Sequence, residues 1–457
     1  MSALIIIACF GVLAMMAEVF HYKKAIIPLM VIGLLAGFCA NITEWNTFQS
    51  YYGHMFLADN YTIAFSSLVI FITLLWTLMA KTYFTSESSR AEHASLILFA
   101  LCGAIIMIGF GDLTMLFIGL EILSISLYVL AGSDKKNIRS NEAGLKYFLM
   151  GAFATGFLLF GIALIYGATV TFNLMQIREV LLQSNTVPEF VYAGILMMMI
   201  GLTFKVAAVP FHFWAPDVYE GSPTLITAFM STVVKTAAFA AFYRLFSTCF
   251  PTTSEWWTSL IAIISALSMI VGNVLAVYQK SFKRMLAYSS IAHAGYMLMA
   301  LVALDQSSAA AIFIYAAAYS FASLGAFACL NAMSVNGDES VSAIAGLGKQ
   351  KPFIAVLLSI LMVSMAGIPP VAGFFAKYYI FYGALQSGFI WLVVIAIISS
   401  LIGVYYYFRV IYTLFAVNSS SIETNFFNKI DPAVLVMCAV LTLLIGVAPS
   451  LLQMLFK

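Results

Sequence analysis

Apolar stretches long enough to cross a bilayer recur along this 457-residue chain from end to end, and they fix its environment before any other feature. A bilayer core takes about 20 predominantly apolar helical residues to span. About fourteen such spans are expected here, near residues 3–20, 25–40, 60–80, 94–110, 113–131, 144–168, 190–209, 224–247, 256–278, 285–304, 308–333, 352–385, 389–415 and 432–455. Hydrophobic residues make up 63% of the chain and Asp, Glu, Lys and Arg only 9%, against about 45–50% apolar in soluble domains. No polar stretch between the spans is long enough to be a soluble domain. The expectation is an all-α polytopic membrane protein with a single membrane domain over 1–457.

The same composition excludes several functions. A net charge of +2 without basic runs gives no footing for nucleic acid. Cys9, Cys39, Cys102, Cys249, Cys329 and Cys438 are scattered singly in apolar segments, with no CxxC and no Cys/His cluster. No metal or iron–sulfur site is expected in this chain. The N-terminus lacks a basic region and a small-residue cleavage site, so Leu4 to Val19 is expected to remain as a first span. Basic residues concentrate on one set of alternating loops, as in Lys135, Lys136 and Arg139 or Lys280, Lys283 and Arg284. The opposite set carries only Arg178, Arg244 and Lys457. By the positive-inside rule both termini are expected on the outer face.

Two spans are interrupted by proline. One reads GLTFKVAAVPFHFWAPDVYEGSPT, broken at Pro210; the other reads SMAGIPPVAGFFAKYY, broken at Pro369 and Pro370. Proline removes a backbone donor and clashes with the preceding turn, freeing carbonyls that need new partners. In a membrane such backbone survives only where protein or a hydrated cavity satisfies it. Paired broken helices point to a transport site between repeats. A first repeat over 94–247 and a second over 256–415 would each hold five spans, so the second would be inverted. Three N-terminal helices (1–93) and a last helix (432–455) flank them.

Lys146, Lys205, Lys235 and Lys377 lie inside these apolar stretches. An ammonium at bilayer depth costs about 3 kcal/mol on insertion scales, so an unpaired one is by default a functional hypothesis. Lys146 is near the start of its span and fits a snorkelling role as well as a functional one. Lys205, Lys235 and Lys377 lie deeper. Glu121, in FIGLEILSISLY, has nothing ionisable within a helical turn, and Lys205 is its natural partner. His212 and His293 can change charge near neutral pH and suit a proton relay, a structural histidine being an equal reading for each.

The segments GLTFKVAAVPFHFWAPDVYEGSPTLITAF, VYQKSFKRMLAYSSIAHAGYMLMA and AGIPPVAGFFAKYYIF resemble the antiporter-like membrane subunits of respiratory complex I. WAPDVYEGSP followed by STVVKTAAF resembles, within that family, the N subunits, the counterparts of mitochondrial subunit 2. The resemblance implies that Glu121 modulates Lys205, and that Lys205, Lys235, His293 and Lys377 line a hydrated path through the middle of the membrane. It implies proton translocation coupled to electron transfer in partner subunits of an NADH:quinone oxidoreductase in a bacterial inner membrane. Flavin, iron–sulfur clusters, NADH and quinone would then belong to those partners, with other membrane-arm subunits and flanking antiporter-like subunits as neighbours. A cation/proton antiporter or the membrane arm of a hydrogenase stands as the alternative; the scarcity of intramembrane carboxylates counts against sodium.

Overall fold

The computed structural model of the chain describes residues 1–81, 83, 91–184, 187–304, 307–334, 339–416 and 432–456. Lys457 of the outer-loop set lies outside the described residues. Helices α1 (Ser2–Val19), α2 (Ile26–Thr43), α3 (Asn60–Met79), α4 (Ala91–Gly109), α5 (Leu113–Ala131) and α6 (Ile138–Thr169) come first, with a small hairpin, β1 (Gln49–Tyr51) and β2 (Phe56–Ala58), before α3. Then come α7 (Leu174–Gln183), α8 (Glu189–Lys205), α9 (Trp214–Gly221), α10 (Thr224–Phe229) and α11 (Lys235–Cys249). The rest are α12 (Ser254–Val277), α13 (Phe282–Ala303), α14 (Ser308–Ser334), α15 (Pro352–Ala366), α16 (Ala372–Gln386), α17 (Ile390–Phe415) and α18 (Pro432–Val447).

Ten helical runs among the described residues are long and apolar enough to cross a membrane, eleven if the bent pair Pro432–Val447 and Ser450–Phe456 is one span. Eleven is three fewer than the fourteen that the sequence patterning predicts: the apolar run of α1, Ser2–Ala17, falls short of spanning length, and the other two are lost to breaks. The expected spans at 190–209 and 352–385 are broken, leaving α8, α15 and α16 with 17, 15 and 15 residues. At 1.5 Å per residue such pieces reach only about 22–26 Å, short of a hydrocarbon core of about 30 Å.

The described residues form two compact units. The first comprises Met1–Val206 and Val233–Leu260; the second comprises Ala207–Thr232 and Ile261–Lys457. The chain passes between units just after Lys205 and again inside a π-helical turn, Met230–Val234, that joins α10 to α11.

In the first unit α4 and α5 pack backbone to backbone at a glycine. A Cβ on Gly103 would lie 2.6 Å from the Leu123 nitrogen and 2.7 Å from the Gly119 carbonyl oxygen. Neither is a mobile group, so the helices would have to part. Gly103→Ala is expected to cost about 1–3 kcal/mol, the usual penalty of overpacking. Gly156→Ala, where a Cβ meets nothing within 4 Å, is the matched control and should be neutral or slightly stabilising. Thermal unfolding in detergent separates the two. Helix caps punctuate the same unit: Asp59 accepts from the Thr62 amide and Asp112 from the Thr114 amide, both at 2.7 Å.

The second unit is organised around α14, in which the span Ser308–Met333 is buried on all sides. A helix apolar all round belongs at the centre of a bundle. Small residues (Ala309, Ala310, Ala311, Ala316, Ala317, Ala318) let neighbours approach closely.

Candidate functional site

The first unit holds Glu121, Lys205 and Lys235. Lys205 is the last residue of α8, where the backbone leaves the helix toward Ala207, with φ 59°, and a cis bond before Pro210. Its side chain is 5% exposed. Nζ donates to Ser124 Oγ at 2.7 Å and to Tyr147 OH at 3.5 Å, with the Tyr147 ring centroid 5.7 Å away. Ser124 can accept because its own proton goes to the Leu120 carbonyl at 2.6 Å. Glu121 stands one helical turn before Ser124 on α5, with Oε1 buried and without a hydrogen bond among the described residues. No hydrogen bond or ion pair of the described residues joins Glu121 to Lys205; Ser124 takes the ammonium instead. Lys235 opens α11 directly after the π-helical turn and is 3% exposed.

Lys146 lies elsewhere. Helix α6 starts at Ile138, earlier than its apolar stretch, and its 32 residues extend over ~48 Å. Lys146 sits in its third turn, with its side chain 41% exposed and bound to Glu142 at 2.7 Å in an i,i+4 pair.

The second unit holds His212, His293 and Lys377, and both proline breaks have a cis bond, Val209–Pro210 and Pro369–Pro370. At the second break α15 ends at Ala366, followed by Gly367 with φ 83°. The freed Ala366 carbonyl accepts from Lys377 Nζ at 2.8 Å, and Ser400 Oγ accepts at 2.9 Å. Gly367 is needed twice over: for its left-handed backbone, and because a Cβ there would come within 2.9 Å of Lys377 Nζ. The ring of Tyr296 lies 4.9 Å beneath the ammonium. His293 is held on both ring nitrogens, Nδ1 to Tyr315 OH at 2.7 Å and Nε2 to Tyr407 OH at 3.0 Å. A small cavity beside it, about 10 Å³, is lined by His293, Tyr315, Tyr319, Ser364 and Ala376 among others. His212 lies in the first break, its Nδ1 buried without a hydrogen bond among the described residues.

Sequence reasoning missed the hydroxyls that hold these groups: Ser124, Tyr147, Tyr315, Ser400 and Tyr407. Lone polar residues on otherwise apolar helices were the available signal. It also filed Lys283 and Arg244 as loop charges. Lys283 instead lies in the first turn of α13, 3% exposed, donating to the Ser222 carbonyl at 2.7 Å and to Glu339 at 3.4 Å. Its neighbour Arg284 binds Asp217 and Glu220 of the WAPDVYEGSP segment. Among the described residues no group of three His, Cys, Asp or Glu side chains could hold a metal ion.

Residues 110–403 match the family described as NADH:quinone oxidoreductase/Mrp antiporter, TM. The chain belongs to this family. Among its relatives in the family, a protein of Cytophaga hutchinsonii named NADH-quinone oxidoreductase subunit N is 44% identical over 99% of this chain and 98% of its own length. One of Flavobacterium psychrophilum with the same name is 42% identical over 99% and 98%. A chain of respiratory complex I from Thermus thermophilus superposes with TM-score 0.84 at 32% identity, covering 99% of this chain and 98% of that one. A chain of the Mrp complex from Dietzia shares the fold, with TM-score 0.88 at 20% identity over 100% and 96%.

Proposed function

We propose that this antiporter-like family member is the N-type, proton-translocating membrane subunit of an NADH:quinone oxidoreductase. The names of its relatives and its likeness to a complex I chain support the assembly. One observation carries the proton reading. Lys205 and Lys377 are buried on neutral acceptors only, hydroxyls and a freed carbonyl, with no carboxylate in ion-pairing range among the described residues. A lysine held this way can bind or release its proton with a small change of surroundings, whereas a salt-bridged one is locked in the charged form.

In this reading a perturbation from a partner subunit changes the field at Glu121 and lowers the proton affinity of Lys205. The proton moves toward Lys235, His293 and Lys377 and leaves on the outer face. Moving one charge against the membrane potential costs about 2.3 kcal/mol per 100 mV. A two-unit swing in proton affinity supplies about 2.7 kcal/mol, enough for one proton. The redox groups (flavin, iron–sulfur clusters, NADH and quinone) belong to partner subunits, as do the membrane-arm neighbours.

The finer architecture goes with this function. Eleven crossings, plus α1, α8 and the α15–α16 pair, make fourteen. Five-helix repeats over 94–247 and 256–415 would be inverted, each with one broken helix. Both termini then face outward across a bacterial inner membrane.

A tagged copy of the chain, expressed in its own membranes and solubilised gently, provides the test. On a native gel stained for NADH dehydrogenase activity, tag and activity are expected to co-migrate in one large assembly. A tag confined to a small, inactive particle would favour the cation/proton antiporter instead.

A further inference from the structure

Asn273, on α12, is 1% exposed and joins three helices of the second unit. Its Nδ2 donates to the Met269 carbonyl at 2.9 Å. A carbonyl only accepts, so this bond fixes which end of the amide is nitrogen. The second Nδ2 proton goes to Tyr296 OH at 3.1 Å, and Oδ1 accepts from Tyr406 OH at 3.0 Å. Each tyrosine leads to one of the titratable groups. The Tyr296 ring lies under the Lys377 ammonium. The Tyr406 ring packs at 4.4 Å on Tyr407, whose hydroxyl binds His293 and Ser289.

The Tyr296 hydroxyl and the Lys377 ammonium share Ser400, and the Tyr406 and Tyr407 hydroxyls reach each other, so a buried line of polar groups runs between His293 and Lys377 with an amide in its middle. Hydroxyls and imidazoles relay protons by accepting one while giving up another. A side-chain amide can do so only through its high-energy imidic acid form, taking a proton on Oδ1 as it releases one from Nδ2. The donors all point from Tyr406 through the amide to Tyr296, so the bar in that direction is the amide's tautomer alone.

We propose that Asn273 is a positioning residue that insulates Lys377 from His293, holding Tyr296 and Tyr406 in place while blocking proton transfer through them. The inference rests on the proton-translocating reading above. A pump holds its gradient only if its stations are never in continuous proton contact, and a standing hydroxyl line between two of them would short that step. Transfer would then pass by a route that can open and close. The cavity beside His293, which also touches Ser364 and Ala376, has room for one water molecule at most.

The near-isosteric Asn273→Asp replaces the amide with a group that can accept and release a proton. In inverted vesicles carrying the whole assembly, NADH oxidation should persist in this variant. Protons moved per NADH should fall at least about twofold, since a positioned acid–base group speeds transfer by about 10² or more. Asn273→Leu, of similar size but unable to relay, should retain the wild-type ratio even if turnover slows. An unchanged ratio in Asn273→Asp overturns the proposal, as does an equal loss in both variants, which would mark a merely structural role. Lys377→Ala in the same vesicles separates the two levels. If it pumps normally, the proton-path reading itself fails; if it is impaired while Asn273→Asp is normal, only the insulator fails.

Discussion

Lys205→Ala is expected to lower proton translocation by at least tenfold while the assembly still forms on a native gel. Without the amine a proton must cross that depth with no base to carry it, at a cost no smaller than the ~3 kcal/mol of an ammonium, about a hundredfold in rate. The partial reaction between NADH and a soluble acceptor, which needs only partner subunits, should be unchanged. Lys205→Arg sharpens the result. It keeps the positive charge beside Ser124, but a guanidinium does not deprotonate in proteins. Arginine should therefore pump as poorly as alanine. An arginine variant that pumped would mean that Lys205 supplies a fixed charge and carries no proton.

The second large effect concerns folding, at the pair Asp59 and Arg244. Arg244 is 6% exposed, against 31% for Asp59, with NH2 2.7 Å from Asp59 Oδ1 and 2.9 Å from Thr62 Oγ1. Breaking a buried pair costs about 3–5 kcal/mol, because the partner left behind is uncompensated. The two halves should not cost the same. Asp59→Ala strands the deeper charge and removes the cap of α3, so it should reach the upper end of that range. Arg244→Leu leaves a carboxylate that water partly reaches and should sit near the lower end. The double variant Asp59→Asn/Arg244→Leu keeps a capping side chain, strands no charge, and should recover most of the loss. Thermal unfolding in detergent reads all three.

The pair also sets a pH limit. Burial pushes the Asp59 carboxyl up, but Arg244 and the Thr62 amide outweigh it and hold the group below its ordinary value of 3.8. A carboxyl lowered on folding stabilises above its unfolded value and loses that contribution as pH falls through the folded one. Stability from this pair is thus complete at neutral pH and is withdrawn only in strong acid.

How much of this was legible in the sequence depends on the range of the interaction. Apolar runs and prolines act locally, so most helices and both breaks could be read in order, and the burial of Lys205, Lys235 and Lys377 followed from their depth in those runs. Lys146 shows where that logic stops. A 32-residue helix outruns its apolar stretch and carries Glu142 one turn away, so depth in sequence is not depth in the bundle. Glu121 shows the second limit. Glu121 does act on Lys205 through its charge, but the ammonium donates its hydrogen bond to Ser124 on the same helix, which sequence alone did not indicate. The Asp59–Arg244 pair joins residues 185 positions apart, which no local pattern could match. The β hairpin and the short helix α7, which buries Leu174, Ile177 and Leu181, were missed because both fall between membrane-length stretches.

The π-helical turn at Met230–Val234 makes the stretch leading to Lys235 sensitive to the number of residues as well as to their identity. Such turns amount to one inserted residue accommodated within an α-helix. Each α-helical residue turns the chain by about 100° and advances it by 1.5 Å. Deleting one residue from this turn would restore regular winding and leave Lys235 facing nearly as it does now, whereas deleting one from the α-helical turns on either side would swing it about a quarter of the way around the axis. Every side chain in the segment could be conserved in kind, yet the lysine would face a different neighbour. In this stretch a change of length, more than a change of letter, would disconnect the lysine from its surroundings.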